Sequence, residues 1–300
     1  MDFKPITIAD KEIITNITYK NDFMNCDFAF SNMCSWCFLY DSEYATEDDF
    51  LFIRFHVTNR AHFHWAYMFP IGKGDIRLAI NKIEEDAEAL QTSFLLLGIT
   101  PDCKELLEEL FPEKFTYKAE RNYFDYIYLR EDLQFLKGKK LQSKRNHINK
   151  FNKLYQYSCI PITREIAPQC MELEQVWLRA NISDDDREAL ANERRSMSFA
   201  LNHFEELGLF GYAIVVDNKI IAFSYGSKIN HNTFGVHAEK ADINYEGVFS
   251  VVNQELVSQL PEEFIYINRE EDLGISGLRK SKLSYNPYIL LEKNSAVKRR

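Results

Sequence analysis

Between residues 264 and 287 the chain reads Phe264-Ile265-Tyr266-Ile267, then Asn268-Arg269-Glu270-Glu271-Asp272-Leu273-Gly274, then Ile275-Ser276-Gly277-Leu278-Arg279-Lys280-Ser281-Lys282-Leu283, then Ser284-Tyr285-Asn286-Pro287. Four consecutive apolar and aromatic residues predict a buried strand. Three carboxylates follow at once, and Gly274 ends the polar run. Ser276 is placed to cap a short helix, and Arg279 and Lys282, three residues apart, share one of its faces. Pro287 disfavours further helix. An acidic loop and a basic helical turn thus leave the end of one buried strand together, and strand ends in open α/β sheets are where ligands bind. Charges clustered in a loop are also commonly solvated or paired with each other.

The remainder of the chain alternates periods. Residues 6–19 have helical spacing, 50–57 and 62–69 read as strands about a turn at 58–60, and Pro70, Gly72 and Gly74 break the run. Asp75 opens a helix through Ala79, Ile83, Ala87 and Leu90; 94–99 is a buried strand; 101–111 is a helix with Leu106, Leu107 and Leu110 inward; 115–117 and 126–129 are further strands. Helical patterns cover 131–135 and 141–155, a strand 157–162, and two helices 168–180 and 184–207. Three strands with tight turns follow at 210–216, 220–229 and 233–239. Gly247 then opens a helix whose apolar row is Val248, Val252, Leu256 and Leu260, and 288–291 closes the chain as a last strand. Helix, helix, three meandering strands, helix, strand, helix, strand is the order of a GNAT-type acyltransferase domain. The first 125 residues show a similar mix, so the expected class is α/β (α+β), two tandem GNAT-like (acyl-CoA N-acyltransferase-like) domains with mixed sheets flanked by helices. The expected division is 1–125 and 126–300, the second domain carrying the cleft, with tight packing because no Pro-, Gly- or Ser-rich linker separates them.

Composition bounds the partners. The apolar fraction is 46%, the charged fraction 27% and the net charge −9, ordinary for a soluble protein and contrary to a general nucleic-acid coat. No run of about 18 uncharged apolar residues predicts a membrane span. The start, Met1-Asp2-Phe3-Lys4-Pro5, lacks an apolar signal core, so the expected location is the cytoplasm, with the six cysteines reduced. Cys34-Ser35-Trp36-Cys37 has no second ligand pair for zinc and reads as core packing. His62 and His64 alternate on one strand face with His56 nearby, but no carboxylate or thiol pair matches them, and no metal is assigned. GxSxG, Walker A, GxGxxG and HExxH patterns are absent from the sequence.

GNAT-type folds hold an acyl donor where two central strands splay apart, with its phosphates on N–H groups at the start of the following helix. Here that helix start is Gly247, after the loop Lys240–Gly247. The loop departs from the Gln/Arg-x-x-Gly-x-Gly/Ala form of coenzyme A binders, which weighs against plain acetyl-CoA. Acyl or aminoacyl transfer needs a proton acceptor and an oxyanion partner. Carboxylates after the two neighbouring strands supply candidate bases: Glu239 and Asp242 after one, Glu270, Glu271 and Asp272 after the next. The run from Lys137 to Lys153 holds seven Lys or Arg and no acid, Lys144 and Arg145 among them. It suits the phosphates of RNA, a nucleotide or a lipid head group, and its apolar row (Leu141, Ile148, Phe151) equally suits a packed helix with a wet face.

Four segments carry a family resemblance: Asn268-Arg269-Glu270-Glu271-Asp272-Leu273-Gly274 with Gly277-Leu278-Arg279, a lysine and Pro287; Phe28-Ala29-Phe30-Ser31-Asn32-Met33 with Trp36; 125–129 through Lys144-Arg145-Asn146-His147-Ile148-Asn149; and His237-Ala238-Glu239-Lys240-Ala241-Asp242. Together they resemble the C-terminal catalytic domain of phosphatidylglycerol lysyltransferases and its stand-alone bacterial relatives. The resemblance implies a tandem GNAT-like fold and transfer of an aminoacyl or acyl group to an amine or hydroxyl by direct attack. It implies that Arg269, Arg279 and Lys282 contact the donor's phosphate or 3′ end; Lys280, Asn268 and Gly247 are expected to bind the donor beside them. The lysyltransferases usually carry a further lysine where Ser284 stands. No resident cofactor is assigned; the co-substrate is aminoacyl-tRNA or, in the alternative, an acyl-coenzyme A, and the acceptor a small molecule or lipid head group. A non-catalytic binding module on the same fold is the third reading.

Overall fold

A computed structural model describes residues 1–57, 65–181 and 187–299, without side chains for 176–181. Two mixed sheets form. The first runs, in spatial order, Lys4–Pro5, Glu43–Glu47, Phe50–His56, Trp65–Met68, Leu95–Ile99, Asn294–Lys298, Phe115–Ala119, with Ile71–Gly72 also paired to Phe50–His56. The second runs Ile289–Leu291, Asp125–Leu129, Tyr266–Asn268, Thr233–Ala241, Lys219–Lys228, Phe210–Val216, Ser158–Pro161.

The two units repeat one plan. In the first, strand Trp65–Met68 leads through helix Ile76–Ala89 to the parallel strand Leu95–Ile99. In the second, Thr233–Ala241 leads through helix Val248–Gln259 to the parallel strand Tyr266–Asn268. Asp75 starts the first of these helices as expected, its carboxylate accepting from the Arg77 N–H at 2.8 Å. Leu107 is buried, but Leu106 points outward at 38% exposure, because helix Pro101–Leu110 turns only one leucine of that pair to the sheet.

The chain's two crossings tie the units together, the second by returning the last strand to the first sheet. After Phe115–Ala119 the chain crosses to place Asp125–Leu129 between Tyr266–Asn268 and Ile289–Leu291 of the second sheet. After Ile289–Leu291 it crosses back to place Asn294–Lys298 between Leu95–Ile99 and Phe115–Ala119 of the first. The strand expected to be last is therefore followed by another, which belongs to the opposite sheet.

A shared core reinforces these crossings. Phe28, Phe30, Met33, Ile53 and Met68 pack in one cluster with Phe223, Tyr225, Ala213 and Ala238. At about 2 kcal/mol for each large side chain buried, these contacts bind the units far more strongly than a mobile domain interface would. Among the described residues, no helix is long and apolar enough to cross a membrane.

Candidate active site

The parallel strands Thr233–Ala241 and Tyr266–Asn268 pair only from Thr233↔Tyr266 to Gly235↔Asn268. Beyond that point the longer strand continues against Lys219–Lys228 alone, and the two part. A register shift between Tyr225 and Gly226 leaves His237 as an extra residue opposite them. Such a bulge bends a strand and re-aims a side chain. Gly226 and Gly235 meet here: a Cβ on Gly226 would lie 1.8 Å from the Gly235 carbonyl oxygen.

Two carboxylate-centred pairs stand where these strands stop pairing, the notch referred to below as the slot. Arg269 Nη2 donates to Glu239 Oε1 at 3.0 Å, and the other Glu239 oxygen accepts from Asn253 Nδ2 at 3.2 Å. The guanidinium lies 4.9 Å from the Tyr285 ring and 5.9 Å from that of Tyr128. Arg269 is only 8% exposed, and its Nη1 has no partner; Asn253, 1% exposed, has an equally unpartnered Oδ1. Buried polar groups are mostly paired; here an open donor and an open acceptor stand on the two partners of one carboxylate. Half-buried Lys144 sits 4.0 Å over the Tyr285 ring; burial and the neighbouring Arg269 charge push its ammonium down.

The second pair is Glu270 with His237. Glu270 Oε1 accepts from His237 Nδ1 and from Asn32 Nδ2, both at 2.8 Å. On the other side of the ring, Nε2 lies 2.9 Å from Ser31 Oγ and 2.8 Å from Ser227 Oγ, and these hydroxyls are 2.7 Å apart. Burial pushes the Glu270 carboxyl up, but the His237 contact, the Asn32 hydrogen bond and the Lys282 charge outweigh it and hold it below the usual carboxylate range. Glu270 takes a left-handed backbone (φ 58°), fixed by Asn268 Oδ1 accepting its N–H at 2.6 Å.

The other residues singled out in the sequence are placed differently. Asp242 does not join the slot: it accepts from Lys219 Nζ at 3.2 Å and from the Asn244 N–H at 3.1 Å, several residues past the parting point. Glu271 turns away to Lys293, which also holds Asp125 and Asp27, each at 2.8 Å, with Cys26 alongside. Burial raises the Glu271 carboxyl, Lys293 opposes the rise, and Asp125 and Glu270 add to it. Cys26, Asp125 and Glu271 could together ligate a cation, but the Lys293 ammonium already lies among them, so a metal would have to displace it.

Arg279 grips Asp272 with two bonds of 2.8 Å and Asn122 with a third, and this guanidinium holds Asp272 far below the usual carboxylate range. Lys282 is buried and donates to the backbone carbonyls of Arg269 and Glu271, fixing the acidic loop. Lys280 is exposed. Arg145 caps the preceding turn through the Leu136 and Gly138 carbonyls. Asn268 Nδ2 ties the loop to Asp125 at 2.8 Å and to the Met24 carbonyl at 2.7 Å. Gly247 (φ 91°) starts helix Val248–Gln259 packed on His147; a Cβ there would lie 2.6 Å from the His147 carbonyl oxygen. Cys34 is buried, its thiol pushed up to about 12 by that burial, and Cys37 is partly buried. His56 lies 3.1 Å from Asp41, and His62 and His64 fall outside the described residues. A cavity of about 1010 Å³ lies away from the slot, lined by Ile8, Phe38, Arg194, Arg195 and Phe199 among others.

His237, Asn253, Ser31, Asn32 and Ser227 escaped the sequence reading as site residues. Signals were available: Ser31, Asn32 and His237 lie inside segments that carry the family resemblance, and Asn253 is a polar residue within the buried row of Val248, Val251, Val252, Leu256 and Val257.

The family model described as "Phosphatidylglycerol lysyltransferase, C-terminal" matches residues 22–296. A crystal structure of a conserved protein of unknown function from Bacteroides thetaiotaomicron is 48% identical, with 100% of both chains covered and a TM-score of 0.96. The structure of L-PGS from Bacillus licheniformis matches over 98% of this chain and 92% of its own at a TM-score of 0.66 and 13% identity, a likeness of fold. An uncharacterized protein of Mycoplasmoides gallisepticum is 26% identical over 170 residues, 56% of this chain; the chain spans about half, 54%, of that curated relative's length. The chain therefore belongs to the phosphatidylglycerol lysyltransferase C-terminal family and has its GNAT-like fold of two mixed sheets flanked by helices.

Proposed function

We propose that the protein is an aminoacyltransferase whose donor, an aminoacyl ester such as aminoacyl-tRNA, is held in the slot between Thr233–Ala241 and Tyr266–Asn268. The observation that carries this reading is the open pair on Glu239's two partners: a buried donor at Arg269 Nη1 and a buried acceptor at Asn253 Oδ1. An α-amino ester complements both. Its carbonyl oxygen accepts from Arg269, and its ammonium donates to Asn253 Oδ1 and the Glu239 carboxylate. A plain acyl thioester offers the first group and not the second. Lys144 and the N-terminus of helix Val248–Gln259 are the cationic and dipolar partners for the donor's phosphates.

The chemistry is direct attack. The acceptor's amine or hydroxyl adds to the ester carbonyl, the oxyanion forms against Arg269, and the nucleophile's proton passes to Glu270 Oε2, which has no partner among the described residues. Collapse breaks the ester C–O bond, and the ribose oxygen leaves as a hydroxyl with the proton that Glu270 took from the nucleophile. Lys280 and the exposed lysines of 137–140 are left to meet the remainder of an RNA donor, and a small amine or a lipid head group is the acceptor.

The test is thermal stabilisation by a non-hydrolysable 3′-aminoacylamido-adenosine against a coenzyme A thioester. Stabilisation by ligand at 100 times its Kd is about 2.7 kcal/mol. The aminoacyl compound is expected to stabilise the wild type and to lose at least tenfold in affinity with Asn253→Leu. Stabilisation by the thioester alone refutes the reading.

A further inference from the structure

His237, Ser31, Ser227 and Asn32 have no role in the transfer just described, yet His237 and Asn32 bond Glu270 directly and the two serines bond the far side of the His237 ring. We infer that His237 is the positioning residue that aims Glu270 Oε2 into the slot, and that the first unit, through Asn32 and Ser31, completes a site built otherwise on the second. This rests on the slot being the place of transfer.

The hydrogen bonds fix the direction. An ionised carboxylate only accepts, so both Asn32 Nδ2 and His237 Nδ1 donate to Glu270 Oε1. Nδ1 therefore carries a proton, and the ring is held from behind by two hydroxyls at Nε2. One hydroxyl comes from helix Phe30–Ser35 of the first unit and the other from strand Lys219–Lys228 of the second. With Oε1 doubly occupied, Oε2 is the oxygen left for a substrate proton. The ring's place follows from the bulge, which takes His237 out of strand alternation. Charged and titratable groups facing Glu270 are His237, Lys282, Glu271 and Tyr225.

A serine, histidine and glutamate in this order also resemble a nucleophile with its base. The hydrogen bonds separate the two readings. Ser31 and Ser227 are each 2% exposed, share the one Nε2 and bond to one another, so each hydroxyl is already engaged within the cluster.

The test uses the full chain, with glutamate carboxyls labelled with ¹³C and histidines with ¹⁵N. His237→Asn keeps an N–H where Nδ1 stands; His237→Gln moves it to the Nε2 position. Glu270 is expected to titrate below exposed glutamates in the wild type and in His237→Asn, and to rise by about one pH unit or more in His237→Gln and in Asn32→Ala. The ¹⁵N pattern is expected to show a protonated Nδ1. Equal titration of the Asn and Gln variants, or a neutral ring protonated only at Nε2, overturns the inference. A fluorophosphonate is expected to leave Ser31 and Ser227 unlabelled; a covalent adduct on either overturns it in favour of a nucleophilic serine. None of these readouts needs a substrate, so failure of the aminoacyl analogue to bind would refute the transfer reading separately.

Discussion

Removing the charge of Glu239 isolates Arg269. The guanidinium is 8% exposed, its one acidic partner among the described residues is Glu239 at 3.0 Å, and Lys144 adds a like charge nearby. Breaking one side of a buried ion pair costs about 3–5 kcal/mol. The Tyr285 and Tyr128 faces return about 1–2 kcal/mol to the stranded cation, so Glu239→Gln is expected to destabilise by about 2–3 kcal/mol. Arg269→Met is expected to cost a similar amount, because Glu239 then keeps only Asn253. The double variant removes both charges and is expected to cost about 1–2 kcal/mol, well under the sum. Urea unfolding followed by circular dichroism measures all three, and the interlocked units predict one transition. Additive costs, with a coupling under about 0.5 kcal/mol, would show that these charges are solvated and refute the buried slot.

The acid limb of stability follows from the lowered carboxyls. Asp272 is stabilised by its ionised form, a contribution complete above its unfolded value of about 3.9 and lost as pH falls. Glu270 acts with the same sign, while Glu271, raised, contributes at low pH and loses that contribution as pH rises. Arg279→Met is therefore expected to flatten the loss of melting temperature on acidification; an unchanged slope counts against the Asp272 pair. Lys293→Met strands Asp125, Asp27 and Glu271 beside Cys26 and is expected to cost several kcal/mol, with stability falling as pH rises from 5 to 8; a pH-independent melting temperature contradicts the cluster. Deleting residues 294–300 unpairs both Leu95–Ile99 and Phe115–Ala119. Such edges self-associate, so size-exclusion chromatography is expected to show aggregates, and a monodisperse truncated chain with the parent melting temperature contradicts the strand crossing.

Local patterns carried much of the fold into the sequence. Asp75, the apolar row of helix Val248–Gln259 and the run before Asn268 each signal their element over a few residues. The strand Asn294–Lys298 did not announce itself, because Asn-Ser-Ala-Val-Lys buries only Asn294 and Ala296 and owes its pairing to partners far back in the chain. The site divided in the same way. Arg279 and Asp272, seven residues apart, were visible as a charged cluster, though not as each other's partners. The contacts of Glu270 with Asn32, and of His237 with Ser31, span 238 and 206 residues, and no periodicity encodes such pairs. His237 was hidden further by the bulge, which breaks the alternation on which a strand reading depends.

A crystal structure of the full chain with a 3′-aminoacylamido-adenosine bound tests the account most directly. The amine is expected against Glu239 and Asn253 Oδ1, the carbonyl oxygen on Arg269 Nη1, and Glu270 Oε2 on the side from which the acceptor reaches the carbonyl carbon. The same compound seated in the groove of Phe38, Arg195 and Phe199, with Arg269 Nη1 and Asn253 Oδ1 unchanged, would contradict it.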